Sequence, residues 1–176
     1  MIVKQSFLVT ETLAQKIWSL EDVKNYLRIT SDFDNELITH LLETSVKIAE
    51  NFTGMNLIQK KISMSSTDRN ARRFFLKYTP ITEIQKIIIK CNNVEAEIAS
   101  NDYLINLATA TLELLKELKR DEIIIDYSIG IDQKLLPSDI KQGILIHTCR
   151  MFERQEGNSL PMEVKNLYAF YRNIRI

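Results

Sequence analysis

The sequence predicts an α+β fold: mainly a helical bundle of two N-terminal and two C-terminal helices, with a central β-strand insertion. Two amphipathic helical patterns stand near the N-terminus, a strand-rich middle runs from Leu57 to Tyr127, and two more helical patterns open at Leu136-Pro137 and Leu160-Pro161. At 176 residues with 45% hydrophobic content, the chain can bury one real core and is short for two. The expected layout is therefore one domain over 1–176, with an extended arm at 1–18, a helical hairpin at 19–54, a β-rich insertion at 57–130 and C-terminal helices at 137–174.

Taken in order, Met1 to Ile17 shows no stable period and reads as the arm. Ser19 suits an N-cap, with Asp22 three residues on in the acidic place of a capping box, and Leu20, Val23, Tyr26 and Leu27 share a face. From Asp34 to Phe52 the apolar residues Ile38, Leu41, Leu42, Ile48, Ala49 and Phe52 recur at helical spacing, and Gly54 supplies the stop. Strands are expected at Lys61–Ser65, Phe74–Tyr78, Ile81–Lys90, Tyr103–Ile105 and Ile123–Tyr127, where β-branched and aromatic residues cluster between turn residues.

Ala108 to Arg120 is ambiguous, because Leu112, Leu115 and Leu118 among Glu and Lys have good helix propensity. Beyond Pro137, Ile140, Ile144, Leu145, Thr148, Cys149, Met151 and Phe152 cover an arc too wide for one neighbour. This marks Ile140, Ile144, Thr148 and Met151 as candidate helix-interface residues. The last helix aligns Val164, Leu167, Tyr168 and Tyr171. In a single bundle, Leu41, Ile48, Phe52, Ile144, Phe152 and Leu167 should be buried together.

Lys plus Arg and Asp plus Glu both total 23, so no overall field draws the chain to nucleic acid or anionic lipid. No apolar run reaches the roughly 20 residues of a membrane helix, and charges interrupt the N-terminus where a signal peptide needs an apolar core. The two cysteines, Cys91 and Cys149, lack metal or redox spacing and fit reduced thiols.

The order of these parts resembles a known family. Ser19–Arg28 (SLEDVKNYLR), the acidic Asp32-Phe33-Asp34-Asn35-Glu36 and Ala49–Gly54 (AENFTG) look like the N-terminal half of tailed-phage head-tail connector (head-completion adaptor) proteins. Phe75–Ile84, Asn101-Asp102-Tyr103, Asp126–Gly130, Leu136–Gln142 with Phe152-Glu153-Arg154, Leu160-Pro161 and Tyr171-Arg172 extend the likeness over nearly the whole chain. Gly143 departs from it, standing where the family usually has alanine.

The resemblance implies a virion structural protein that forms a homo-oligomeric ring under the portal protein. Such a ring extends the DNA channel toward a downstream head-completion or tail protein and touches double-stranded DNA transiently. It would sit in the neck of a phage, prophage or gene-transfer particle and assemble in the bacterial host cytoplasm, with no catalysis, cofactor or membrane contact. The resemblance also places a strand at Thr111–Leu115.

Other chemistries are weaker. Asp32, Asp34, Glu36 and Glu43 fall on positions of a calcium loop, but Leu37 occupies the place that demands glycine, and acids before a helix are favoured by its dipole. His147 and Cys149 are two apart on a helix and point to different sides; His40 reads as solvated. No Ser-His-Asp set or phosphate loop appears. The basic run Arg69, Arg72, Arg73 and Lys77, interleaved with Phe74, Phe75 and Tyr78, is the candidate subunit, portal or DNA contact. Its alternative reading is a DNA-binding module, against a plain reading as a charged hairpin tip.

Overall fold

The computed structural model describes residues 5–13, 16–153 and 160–172. The chain divides into two compact units, each made of two separated segments: 1–14 with 58–131, and 15–57 with 132–176.

The first unit is all β among its described residues, apart from one 3-10 turn at Ser100–Asp102. Its strands are β1 (Gln5–Thr12), β2 (Lys60–Ser66), β3 (Arg73–Phe75), β4 (Ile81–Cys91), β5 (Val94–Glu97), β6 (Tyr103–Asn106), β7 (Thr111–Leu114) and β8 (Glu122–Ile129). They form a five-stranded sheet, β1-β2-β8-β4-β5, and a three-stranded sheet, β3-β7-β6. All pairs are antiparallel.

Strict alternation builds the core. Ile123, Ile125, Tyr127 and Ile129 of the central β8 face inward while Glu122, Ile124, Asp126 and Ser128 face out. Ile62 and Met64 of β2, Phe74 of β3 and Leu112 and Leu114 of β7 join them in one buried cluster. After β8, Gly130 has φ +104, and a Cβ there would lie 2.5 Å from the Ile58 carbonyl oxygen, so only glycine closes this corner without strain.

The second unit holds α1 (Leu20–Leu27), α2 (Asn35–Thr53), α3 (Ser138–Phe152) and α4 (Met162–Tyr168), followed by a 3-10 turn at Ala169–Tyr171. The capping box forms as the sequence predicts: the Asp22 N–H donates to Ser19 Oγ at 3.0 Å, and the Ser19 N–H donates to Asp22 Oδ2 at 3.1 Å. Gly54 ends α2 in the left-handed conformation, φ 72. Trp18 anchors the entrance to α1 by donating its indole N–H to the Lys141 carbonyl of α3 at 2.8 Å.

Three expectations need correction. The fold is not mainly a helical bundle: the described residues place eight strands in two antiparallel sheets beside four helices, two of which have eight residues or fewer. Local pattern undercounts strands whose partners are distant. Gln5–Thr12 is an edge strand paired with β2 rather than a patternless arm; residues 1–4 and 14–15 of the expected arm lie outside the described residues. β5 escapes notice because all four of its residues are exposed, yet Asn92 and Asn93, with φ 50 and 63, make the two-residue turn that pairs it with β4. Across Thr111–Leu114, by contrast, the strand that the resemblance places there does form, in spite of the local helix propensity, because Leu112 and Leu114 fill the β core.

The bundle core is also rotated from the expected stripe. Of Leu41, Ile48, Phe52, Ile144, Phe152 and Leu167, Ile144 is fully buried and the others are half-buried. The inward face of α2 is Ile38, Leu42, Ser45, Val46, Ala49, Glu50 and Thr53. Three of these are polar, so a hydrophobic count centres the stripe wrongly. Each polar group is satisfied: the Leu57 N–H donates to Glu50 Oε1 at 2.9 Å, and Thr53 Oγ1 donates to the Ala49 carbonyl at 2.8 Å. Ser45 meets Thr148 of α3, with hydroxyl oxygens 2.9 Å apart.

Gly143 explains its own presence. A Cβ there would lie 2.4 Å from Cε1 of Tyr168, so the missing side chain is the space into which the fully buried α4 ring packs. The helix-propensity cost of glycine, about 1 kcal/mol, is offset by that approach.

Candidate functional site

The predicted basic residues all lie on or beside β3, where alternation sends Arg73 and Phe75 outward and Phe74 into the core. Each cation is already engaged. Arg69 Nη2 pairs with Asp121 Oδ1 at 2.9 Å, and Arg73 Nη2 with Glu113 Oε2 of the facing strand at 3.0 Å. Arg72 donates to the main-chain carbonyls of Leu114 and Leu115, at 3.3 and 3.0 Å. Lys77 Nζ lies 5.4 Å from the Tyr78 ring centroid. The run therefore laces β3 and the loop before it to β7 and the segment that follows β7; it does not present one open row of cations.

Folding gathers a different basic set. A cavity of about 560 Å³ is lined by Arg69 and Arg72 together with Cys91, Lys119, Arg120 and Asp121. Arg120 is its deepest member, 5% exposed. Its guanidinium donates to the carbonyls of Asp68 (3.1 Å) and Ala71 and stacks 5.5 Å over the Phe74 ring centroid. Burial pulls its pKa down, and the nearby Asp68 charge pushes it back up. Asp68 in turn accepts the N–H groups of Asn70 and Ala71 at 3.0 and 3.1 Å, which shapes the loop that Arg120 clamps. Sequence reading missed Lys119-Arg120: the pair is some fifty positions from Arg69, and only the adjacency of two cations hinted at it.

The candidate helix-interface residues have places inside the second unit. Ile140, Ile144 and Thr148 are buried there, and Met151 is half-buried. The Thr148 oxygen is 2.8 Å from the Ile144 carbonyl and 2.9 Å from Ser45 Oγ; it donates to the carbonyl and accepts from Ser45, tying α3 to α2. The wide apolar arc of α3 is thus largely taken up by its own unit. Arg154 of the C-terminal pattern lies outside the described residues, as do 173–174.

The acids Asp32, Asp34, Glu36 and Glu43 do not converge. Asp32 accepts from Lys24 Nζ at 2.6 Å and from Asn35 Nδ2 at 3.1 Å, whereas Glu43 projects from the exposed face of α2. Among the described residues, no group of three or more His, Cys, Asp or Glu side chains could hold a metal ion. His147 and Cys149 are buried and His40 is exposed. Burial and the Glu153 charge push the Cys149 thiol up to about 11, while Cys91 is half-buried at the cavity wall. No described helix is long and apolar enough to cross a membrane.

The fold is shared with components of assembled particles. A structure described as the neck of an empty GTA particle computed with C6 symmetry aligns with a TM-score of 0.74 at 17% identity, covering 97% of each chain. The virion of a native gene transfer agent (GTA) particle gives 0.72 at 16% identity, over 97% of this chain and 96% of that one. The neck of a native GTA particle computed with C12 symmetry gives 0.64 at 18%, over 100% and 97%. No curated protein matches the sequence. The family described as "Head completion protein" matches residues 16–162, most of both units, and the chain belongs to that family.

Proposed function

We propose that the protein is a structural head-tail connector of a tailed phage, prophage or gene-transfer particle. In this reading, copies form a ring in the particle neck, beneath the portal, that extends the DNA channel and joins head to tail. The observation that carries the reading is the family match over residues 16–162, with fold likeness to GTA neck and virion chains along essentially the whole length. A closed ring needs heterologous contacts, one face of each copy meeting a different face of the next. The chain offers unlike faces for that purpose: an exposed Phe33 in one unit, and Leu8, Phe75 and Leu104 in the other. No catalytic step or cofactor enters the proposal, and the downstream neighbour is a further head-completion or tail protein.

DNA in this reading passes through and is not held. Tight non-specific binders present many open cations, whereas here Arg69, Arg72 and Arg73 are engaged by carboxylates and carbonyls of their own unit. Mixing the protein with its cognate portal and imaging the product tests the reading. Rings stacked coaxially on the portal, formed equally with or without DNA, are expected. Absence of any portal complex, together with salt-sensitive duplex binding through the Arg69–Lys77 segment, would replace the connector with the DNA-binding module.

A further inference from the structure

We infer that the basic cavity at Arg69, Arg72, Lys119 and Arg120 is a socket for the acidic, aromatic turn Asp32–Glu36 of a second copy of this chain. The inference rests on the ring reading and supplies one of its contacts.

The socket has the chemistry of a protein-segment site. At about 560 Å³ it falls within the range of about 300–1,000 Å³ typical of ligand pockets. Arg72 and Arg120 carry their charge against main-chain carbonyls, not carboxylates. Arg69 and Lys119 stand exposed beside them, with Asp121 already shared between Arg69 and the Asn92 N–H, 2.9 Å from each. Positive charge therefore exceeds negative at the walls, while Leu118, Cys91 and the aliphatic stems of the arginines provide apolar lining. Duplex DNA is the poorer occupant. It asks for a row of open cations along a surface, whereas here Arg72 and Arg120 are turned onto main-chain carbonyls and Arg69 onto Asp121.

The turn has the complementary character. Phe33 is 91% exposed at its tip, flanked by Asp32, Asp34 and Glu36. It is also braced: the Phe33 N–H donates to Ser31 Oγ at 3.1 Å, the Asn35 N–H to the Asp32 carbonyl at 3.2 Å, and Lys24 and Asn35 hold the Asp32 carboxylate. A pre-shaped turn loses little freedom on docking. Asp34 makes no side-chain cap to α2, so its carboxylate is not committed to the helix end. Turn-to-socket contact joins unlike surfaces, as a ring requires.

Cys91 reports occupancy, because it lines the socket while the only other cysteine, Cys149, is buried. The probe is the capped peptide Ser31–Glu36, added at millimolar concentration to the full-length protein during maleimide labelling. Labelling of Cys91 should slow several-fold. The effect should vanish with a Phe33→Ser peptide and with the exposed-residue variant Arg69→Glu/Lys119→Glu. No slowing, or slowing by a short duplex in place of the peptide, overturns the inference.

A second measurement adds the full-length socket variant, and separately Asp34→Lys/Glu36→Lys, to the portal; each should lose ring formation while keeping the wild-type circular dichroism spectrum. If the socket variant rings normally, the inference fails and the connector stands. If the wild type makes no ring, the connector reading itself fails.

Discussion

Replacing Gly143 by alanine should destabilise the helical unit, although alanine is the better helix former. The substitution gains about 1 kcal/mol of helix propensity. Against this, its Cβ would stand 2.4, 2.8 and 3.0 Å from Cε1, Cζ and the hydroxyl of Tyr168. Restoring ordinary contact near 3.4 Å requires the ring to retreat by about 1 Å, and Tyr168 is fully buried with Phe52 6.0 Å away, centroid to centroid. Overpacking of this kind costs about 1–3 kcal/mol, and three close atoms argue for the upper half, so the net loss is about 1–2 kcal/mol.

Tyr168→Leu removes all three colliding atoms, together with a buried hydroxyl that has no hydrogen-bond partner among the described residues. In that background Gly143→Ala should stabilise by about 1 kcal/mol, a reversal of sign and a coupling of about 2–3 kcal/mol. Urea unfolding followed by the fluorescence of Trp18, the sole tryptophan and bonded to α3, measures both arms of the cycle within one unit. Equal effects of Gly143→Ala in the two backgrounds would refute the packing explanation.

Ser19→Ala should cost about 1 kcal/mol at neutral pH through loss of the cap. The Ser19 hydroxyl, then its N–H, holds the Asp22 carboxyl below the usual range, so the share of the cap that runs through this carboxylate is present above the unfolded carboxylate pKa and is lost as pH falls through the depressed folded value. The gap between wild type and variant in urea midpoint should therefore narrow in acid without closing, since the Asp22 N–H still donates to Ser19 Oγ in the wild type; a gap that does not change with pH contradicts the box. Arg120→Ala, which strips donors from the Asp68 and Ala71 carbonyls, should cost the β unit about 2–4 kcal/mol by denaturant titration. Arg120→Lys should recover only part of this, since an ammonium cannot fork between carbonyls. Changing Arg69, Arg72 and Arg73 together to serine should impair portal assembly, followed by sedimentation, more than duplex affinity, followed by salt-titrated anisotropy; the opposite ranking favours a DNA binder.

What could be read from the residues was whatever local chemistry decides. Ser19 with Asp22, Gly54 after Phe52, and the alternation Ile123-Ile125-Tyr127 each carry their structure within a few positions. The family, too, was legible, because the order of such signals is itself distinctive. Illegible parts depended on distant partners. β1 is a strand because Lys60–Ser66 offers it an edge, and β5 because Asn92-Asn93 folds it back. On α2, Ser45, Glu50 and Thr53 face inward because Thr148, Leu57 and Ala49 satisfy them, which no count of apolar residues reveals. The basic cavity joins Arg69 to Arg120 across half of the β unit, so the segment singled out for its charge supplied only part of the wall.

The interleaving of the two units has a consequence for synthesis. β8 is the middle strand of the five-stranded sheet, yet it is the last of the eight to be made. Until the ribosome has passed Ile129, the β1–β2 ribbon and the β4–β5 hairpin both lack their common neighbour and keep open edges, the surface through which nascent chains pair wrongly with one another. α2 waits longer still, with its polar inward face uncovered until α3 emerges. Neither unit can be obtained by trimming the chain from one end. A message translated in many copies close together would thus expose its nascent products to one another at their most adhesive stage, and slowing elongation between the codons for Asp68 and Ile129 should lower the soluble yield.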